Sequence, residues 1–462
     1  MTDPRLESLR SVLPGLQLEC GPAELEHFGR DWTRRWTPAP LAIAFPRQAQ
    51  DVVGIVQWAR REGVVLVPSG GRTGLSGGAV AANGELVVSL ERMNRILGFD
   101  PIDRTLQVQA GAVLQVVQEA ARSHGLAYPV DFGSRGSCTI GGNIATNAGG
   151  IRVLRHGNTR EWIAGLTVVT GRGELLELNR GLVKNSSGYD LRHLLVGSEG
   201  TLGIVVEATL KLAPSPPPTN VMLLALPAFE AVMEVFSVFR ERLQLEAFEF
   251  FTDVALRHVV GHGASDPFDQ VHPYYVVVEF AVADEAGEAA AMAAFERAME
   301  AGLVVDGVVS QSDAQAAQIW QLREGITESL APRRPYKNDV SVRVGAMPAF
   351  LAEIQGLLGE GYPDFEVVWF GHIGDGNLHI NVLRPEGMAE QAFIGRCEQV
   401  TRLLSDVLAR HGGSISAEHG IGLVKKPYLQ GTRSVAEIEV MRGIRRVLDP
   451  DGIMNRGKVF PD

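Results

Sequence analysis

The tract Pro214-Ser215-Pro216-Pro217-Pro218 divides this chain of 462 residues more sharply than any other stretch. Three consecutive prolines lack backbone N–H groups and fix φ, so neither helix nor sheet continues through them and an extended linker results. The texture differs on the two sides. Before the tract, short elements alternate: a helical apolar period over 50–61, strands over 64–68, 86–90 and 105–109, an amphipathic helix over 113–124, and a hairpin pairing 166–170 with 175–178. After it, longer helices (229–242, 285–301, 314–330, 348–358, 391–411) separate strands at 221–226, 247–251, 274–280, 303–309 and 339–344. The pattern predicts an α+β fold whose second domain carries a large antiparallel sheet. The expected domains are 1–214, 219–419, and a C-terminal segment 420–462 containing one helix at 436–448.

Glycine placement is the next constraint. Residues 68–78 hold five glycines in eleven positions, directly after a strand. Successive glycine N–H groups form concave nests for anions, phosphate above all. The tract is neither a Rossmann fingerprint nor a P-loop, since no helix-opening G-x-G-x-x-G and no Gly-Lys-Ser/Thr is present. A glycine-rich surface loop is the competing reading. A second tract over 133–150 weighs against it, because glycines there alternate with Ser137, Thr139, Asn143, Thr146 and Asn147. Small hydrogen-bonding side chains between glycines suit close packing on a large, planar, polar ligand. A third cluster spans 197–203.

The remaining chemistry sits near the C-terminus, in Gly371-His372-Ile373-Gly374-Asp375-Gly376-Asn377-Leu378-His379-Ile380-Asn381 and Ser416-Ala417-Glu418-His419-Gly420. Asp375-Gly376 reads as a two-residue type I′ hairpin turn. In that register His372 stands opposite His379, close enough for two imidazoles to share one ion. Asn381 falls on the face of His379. Glu418 is the expected third ligand, leaving His419 to move protons. The competing readings are a structural histidine pair, and His419 as a fourth ligand with Glu418 as the base.

Net charge is −11 and no dense Lys/Arg run occurs, which argues against nucleic acid and against an anionic membrane as partners. Cys20, Cys138 and Cys397 give no disulfide framework, iron–sulfur motif or zinc knuckle, which fits a cytoplasmic protein. No signal-peptide core and no transmembrane-length apolar run is evident. Oligomeric state is not legible, and a homodimer stays open.

Together the tracts at 68–78, 141–150 and 197–204, the two histidine segments and the tail Asn455-Arg456-Gly457-Lys458 resemble the vanillyl-alcohol oxidase and p-cresol methylhydroxylase flavoproteins. Within them they are similar to the FAD-linked D-2-hydroxyacid dehydrogenases that act on D-lactate, glycolate or D-2-hydroxyglutarate. The resemblance spans about 38–458. It implies a two-subdomain FAD-binding fold, a substrate-binding cap domain and a C-terminal return to the flavin domain. It places Pro68, Ser69, Gly70, Gly71, Arg72, Thr73, Gly74, Leu75 and Ser76 around the pyrophosphate. Pro129, Asp131, Gly133, Ser134, Thr139, Gly142, Asn143, Asn147, Gly149 and Gly150 line the flavin and ribityl region. Gly203, Ile204 and Val205 meet the adenine end, and Asn455 approaches the isoalloxazine. Some relatives bear a flavin-linked histidine in the first loop; 70–78 has none, which implies non-covalent FAD. The usual tail proline is here Arg456.

By the same resemblance, His372, His379 and Glu418 hold a divalent metal. Zn2+ suits the ligand set best; Mn, Fe or Co could replace it. His419 is the catalytic base and also contacts substrate, as does Asn381. Arg323 and Thr327, four apart on one helix, and Lys337 after a following loop match the carboxylate-binding segment, although a solvated helix face is the competing reading of Arg323. Three polar groups exceed the needs of one carboxylate, which favours D-2-hydroxyglutarate over D-lactate or glycolate. Electrons would leave to an external acceptor, an electron-transfer flavoprotein or a quinone. A metal-dependent lyase or hydrolase is the alternative of a different class.

Overall fold

The computed structural model describes residues 3–282 and 284–460. These form two compact units. One comprises Met1–Gly150, Gly157–Ser215 and Glu418–Asp462; the other comprises Ile151–His156 and Pro216–Ala417. No helix among the described residues is long and apolar enough to cross a membrane.

The first unit contains two main sheets. In the smaller, the strands run Gln17–Glu19, Ala42–Phe45, Leu86–Ser89, Leu66–Ser69, with the last three parallel. The helix Ala49–Glu62 supplies the crossover. It buries Val52, Ile55, Val56, Trp58 and Ala59, and ends where Gly63 adopts φ +67°, donating its N–H to the Ala59 carbonyl. This is the left-handed stop that glycine provides at least cost. The larger sheet is antiparallel, in the order Ile96–Asp100, Thr105–Gln109, Gly203–Lys211, Ile163–Thr170, Leu175–Leu178. The C-terminal segment belongs to this unit. Its helix Val435–Leu448 starts with a Ser434/Glu437 capping box. Beyond it Met454 bridges in parallel to Leu66, and Asn455 N–H donates to the Leu66 carbonyl.

The second unit is built on a seven-stranded antiparallel sheet, in the order Asp306–Val309, Thr219–Leu226, Tyr274–Ala281, Leu245–Thr252, Val367–Gly371, Asn377–Val382, Tyr336–Ser341. The helices Asp253–Val260 and Asp313–Leu330 cover one face, where Phe251, Tyr275, Leu322, Ile326 and Phe370 join one apolar cluster. Ala231–Arg240 packs through Phe236 onto Phe248. Each fully buried aromatic of this kind contributes about 1.5–3 kcal/mol.

Two details depart from the sequence reading. The strand expected at 339–344 is Tyr336–Ser341, because its hydrogen-bonded register against Asn377–Val382 begins at Tyr336. Lys337 therefore lies within a strand rather than after a loop. The short segment Ile151–His156 follows the second glycine tract yet packs with the sheet of the second unit. Arg152 Nη2 lies 3.1 Å from Glu279 Oε1, and Arg155 Nε lies 3.5 Å from Glu246 Oε1.

Candidate active site

The three glycine tracts and the tail form one contiguous backbone surface in the first unit. A Cβ at Gly70 would stand 2.3 Å from Thr139 Oγ1, and one at Gly71 would stand 2.1 Å from the Ser137 carbonyl. The first loop therefore lies directly against the second tract, at a separation that only glycine permits. At Gly150, with φ +116°, a Cβ would meet the Asp131 carbonyl at 2.1 Å, which fixes Pro129–Val130–Asp131 beside Gly149 and Gly150. The turn at 197–200 is tied to the second tract by the bonds Gly197 N–H to Ile144 O and Glu199 N–H to Ala145 O. Gly203, Ile204 and Val205 open the strand that follows this turn.

Asn455 links these parts. Its Nδ2 donates to the carbonyls of Gly78 and Glu199, and its Oδ1 accepts from Lys458 Nζ at 2.7 Å. Its amide thus holds backbone in place rather than facing outward. Arg72 turns back, donating to Gly70 O at 3.1 Å and lying 4.3 Å over the Phe28 ring. Asp131 is engaged by Gln118 and Arg135. Asn147 accepts the Arg160 N–H. Gly133 is exposed.

The donor chemistry of this surface fits a large polar cofactor. Ser69 Oγ and Thr139 Oγ1 are buried with no hydrogen-bond partner among the described residues. A buried hydroxyl left unsatisfied costs about 1–3 kcal/mol, so such groups mark where a ligand's polar atoms belong.

In the second unit, the strands Tyr336–Ser341 and Asn377–Val382 place four groups on one face. Lys337 stands opposite Asn381, and Asp339 stands opposite His379. Cross-strand partners and residues two apart share a face. Burial depresses the Lys337 ammonium to about 8. His379 Nδ1 lies 3.8 Å from Asp339 Oδ1, an ionic distance rather than a hydrogen bond, and Asn377 Nδ2 donates to that same oxygen at 3.0 Å.

The expected hairpin register is corrected here. Phe370, not His372, stands opposite His379. The connection is a 3-10 turn over Ile373–Asp375, and Gly376 alone carries positive φ, +90°. His372 nonetheless returns to the same place: the His372 and His379 ring centroids are 5.5 Å apart at 80°. Asp339 and His379 offer ligand atoms within 4.8 Å of one another, in a group that does not include His372, and their donor chemistry fits a divalent cation.

Arg323 and Thr327 share the helix Asp313–Leu330, but Arg323 is 5% exposed while Thr327 faces solvent. Arg323 is therefore no solvated face. Its guanidinium lies 5.0 Å over the Phe370 ring, and Nη2 is 2.8 Å from Glu249 Oε2.

Glu418 and His419 belong to the first unit, with His419 Nε2 3.8 Å from Glu418 Oε1. Chain continuity constrains Glu418. The segment before it bridges the edge strand, Asp339 with Ser416 and Ser341 with Ser414, and Ala417 N–H donates to Asp339 O at 3.3 Å. Glu418 follows by one trans peptide, about 3.8 Å between Cα atoms. The next turn is anchored on Glu199, whose carboxylate accepts from Ile421 and Gly422 N–H at 2.7 and 2.8 Å.

Two carboxylates beside the histidines escaped the sequence reading, Glu249 and Asp339. A glutamate inside the apolar run Ala247-Phe248-Glu249-Phe250-Phe251 was the available signal, since a lone carboxylate in a buried strand demands a partner.

Residues 215–459 match the family model for FAD linked oxidases, C-terminal domain, and residues 40–179 match that for an FAD binding domain. The chain is 69% identical over 460 residues to a D-2-hydroxyglutarate dehydrogenase of Xanthomonas citri pv. viticola, covering 100% of this chain and 98% of that one. It is 51% identical over 462 residues to a D-2-hydroxyglutarate dehydrogenase of Stutzerimonas stutzeri, covering 100% of both. In fold it is similar to p-cresol methylhydroxylase with substrate bound, at a TM-score of 0.78 and 13% identity, over 99% of this chain and 96% of that one. The chain therefore belongs to the FAD linked oxidases, shares the fold of p-cresol methylhydroxylase, and is an FAD-dependent D-2-hydroxyacid dehydrogenase.

Proposed function

We propose that this enzyme oxidises D-2-hydroxyglutarate to its 2-oxoacid, using non-covalent FAD and a divalent metal, Zn2+ by preference. The carrying observation is the sheet face that joins His379, Asp339, Asn381 and Lys337, with His372 beside it and the buried Arg323 on the same unit. It offers two cations, one more than a monocarboxylate needs, and the names borne by the bacterial relatives support the same substrate. Bound FAD supplies the hydride acceptor and a bound divalent cation lowers the hydroxyl's pKa. His372, His379 and Glu418 would hold that cation. Lys337 and Arg323 bind the carboxylates, Asn381 and Thr327 donate further hydrogen bonds, and His419 takes the hydroxyl proton at a ring nitrogen. The backbone of 68–76 cradles the pyrophosphate, and the second tract lines the flavin. Electrons leave to an external flavoprotein or quinone. Cys20, Cys138 and Cys397 form no disulfide among the described residues, which favours the cytoplasm as its location.

The test is a substrate panel with a dye acceptor. kcat/KM is expected to be highest for D-2-hydroxyglutarate, below it for D-malate and lowest for D-lactate. Chelation should remove activity and Zn2+ should restore it. Preference for D-lactate would overturn the substrate; indifference to the chelator would overturn the metal.

Lys337 gives a pH-dependent prediction. The ammonium is charged below about pH 8 and neutral above it. Binding of a carboxylate by the free enzyme therefore weakens as pH rises through 8, and kcat/KM should fall towards about tenfold per pH unit. Lys337→Arg should carry the plateau above pH 9, because guanidinium stays charged. Persistence of the alkaline limb in that variant would assign it to another group.

A further inference from the structure

The geometry points to Glu249 as a positioning residue that joins the two halves of the candidate site, orienting His372 through one oxygen and Arg323 through the other. This proposal rests on the reading of His372 as a metal ligand and Arg323 as a carboxylate binder.

Glu249 lies in the strand Leu245–Thr252, 1% exposed, between Phe248 and Phe250. Its Oε1 is 2.9 Å from His372 Nδ1, and its Oε2 is 2.8 Å from Arg323 Nη2. A carboxylate buried so completely is retained only with cationic or N–H partners, because desolvation of an unpaired charge is costly. Both partners are side chains that the proposed function places in the chemistry, and an apolar residue at 249 would remove this contact from each.

Two consequences follow from the bonds. Donation from Nδ1–H to the Glu249 carboxylate assigns the imidazole proton to that nitrogen and the lone pair to Nε2, and it fixes the ring plane. A carboxylate behind a ligating histidine also raises the ring's basicity. On the other side, the Arg323 contact is ionic but poorly aligned. Arg323 Nε and Nη2 form no hydrogen bond among the described residues, although the side chain is buried. The guanidinium is thus held in place by Glu249 and by the Phe370 ring, with donor capacity left for an incoming carboxylate.

The test compares the purified FAD-loaded parent with Glu249→Gln and Glu249→Asp. Zn2+ affinity is read by competition with a chromophoric chelator, and FAD content by absorbance. Glu249→Gln keeps the volume and lacks the charge; its Zn2+ affinity should fall about 10–100-fold. The KM for D-2-hydroxyglutarate should rise in parallel, with FAD content unchanged. Glu249→Asp keeps the charge with a shorter reach and should fall between the two; it serves as the primary variant if Glu249→Gln does not accumulate folded. Zn2+ affinity within twofold of the parent in both variants, while His379→Ala has lost it, would overturn the role of Glu249 and leave the metal reading standing. A parent that binds no Zn2+ would overturn the metal reading itself and this proposal with it.

Discussion

His379→Ala is expected to lower the rate of flavin reduction by D-2-hydroxyglutarate about a thousandfold or more, and to lose bound metal, while FAD content stays at the parent's level. Lewis-acid assistance is worth several kcal/mol, and each 1.4 kcal/mol is tenfold in rate. His379 lies in the strand Asn377–Val382, whose register against Tyr336–Ser341 is fixed over six residue pairs. Truncation to alanine there leaves the sheet intact and removes only the ring. His419→Ala provides the contrast. Loss of a general base costs roughly 10²–10⁴-fold, and metal content should be retained, because the proposed ligands His372, His379 and Glu418 remain. Rapid-mixing flavin spectra give the rate, and elemental analysis gives the metal. A His379→Ala protein with full metal would remove that residue from the ligand set. A His419→Ala protein that loses its metal would make His419 a ligand and return the base to Glu418.

The flavin-binding half was legible because its signal is local. Glycines needed for close approach sit together in the chain, and the clashes they avoid, at Gly70, Gly71 and Gly150, are all with neighbouring tracts. The helices of both units were legible for the same reason, since a 3.6-residue apolar period needs only its own segment. The closeness of His372 and His379 was legible, their register was not. Asp375-Gly376 suggested a two-residue turn, yet a third strand decides the loop. Val342 N–H donates to the Gly376 carbonyl at 3.1 Å, and a Cβ on Gly376 would meet Val342 O at 2.2 Å. A turn motif cannot report a neighbour that arrives from more than thirty residues upstream. Glu249 was missed on the same principle, for its bond to His372 joins residues 123 apart. Nothing local marks Ile151–His156 either; its attachment depends on Glu246 and Glu279 in distant strands.

Gly71→Ala should strip FAD and destabilise the apoprotein together, whereas Gly74→Ala should weaken FAD alone. The difference follows from where an added methyl would go. At Gly71 it would stand 2.1 Å from the Ser137 carbonyl and 2.9 Å from Cys138 Cα, both backbone atoms that cannot swing aside. The first loop must then withdraw from the second tract, which breaks the surface that both tracts build. Overpacking of this kind costs about 1–3 kcal/mol, and each kcal/mol corresponds to roughly 2–4 °C in Tm for a domain of this size. At Gly74 nothing lies within 4 Å and the residue is exposed, so the apoprotein should melt at the parent's temperature. A methyl there still obstructs a pyrophosphate lying on the loop, and FAD affinity, read by flavin fluorescence quenching, should fall. If Gly71→Ala keeps both its Tm and its FAD, the close approach of the two tracts does not govern the cradle. If Gly74→Ala keeps full affinity, the pyrophosphate does not lie over that part of the loop.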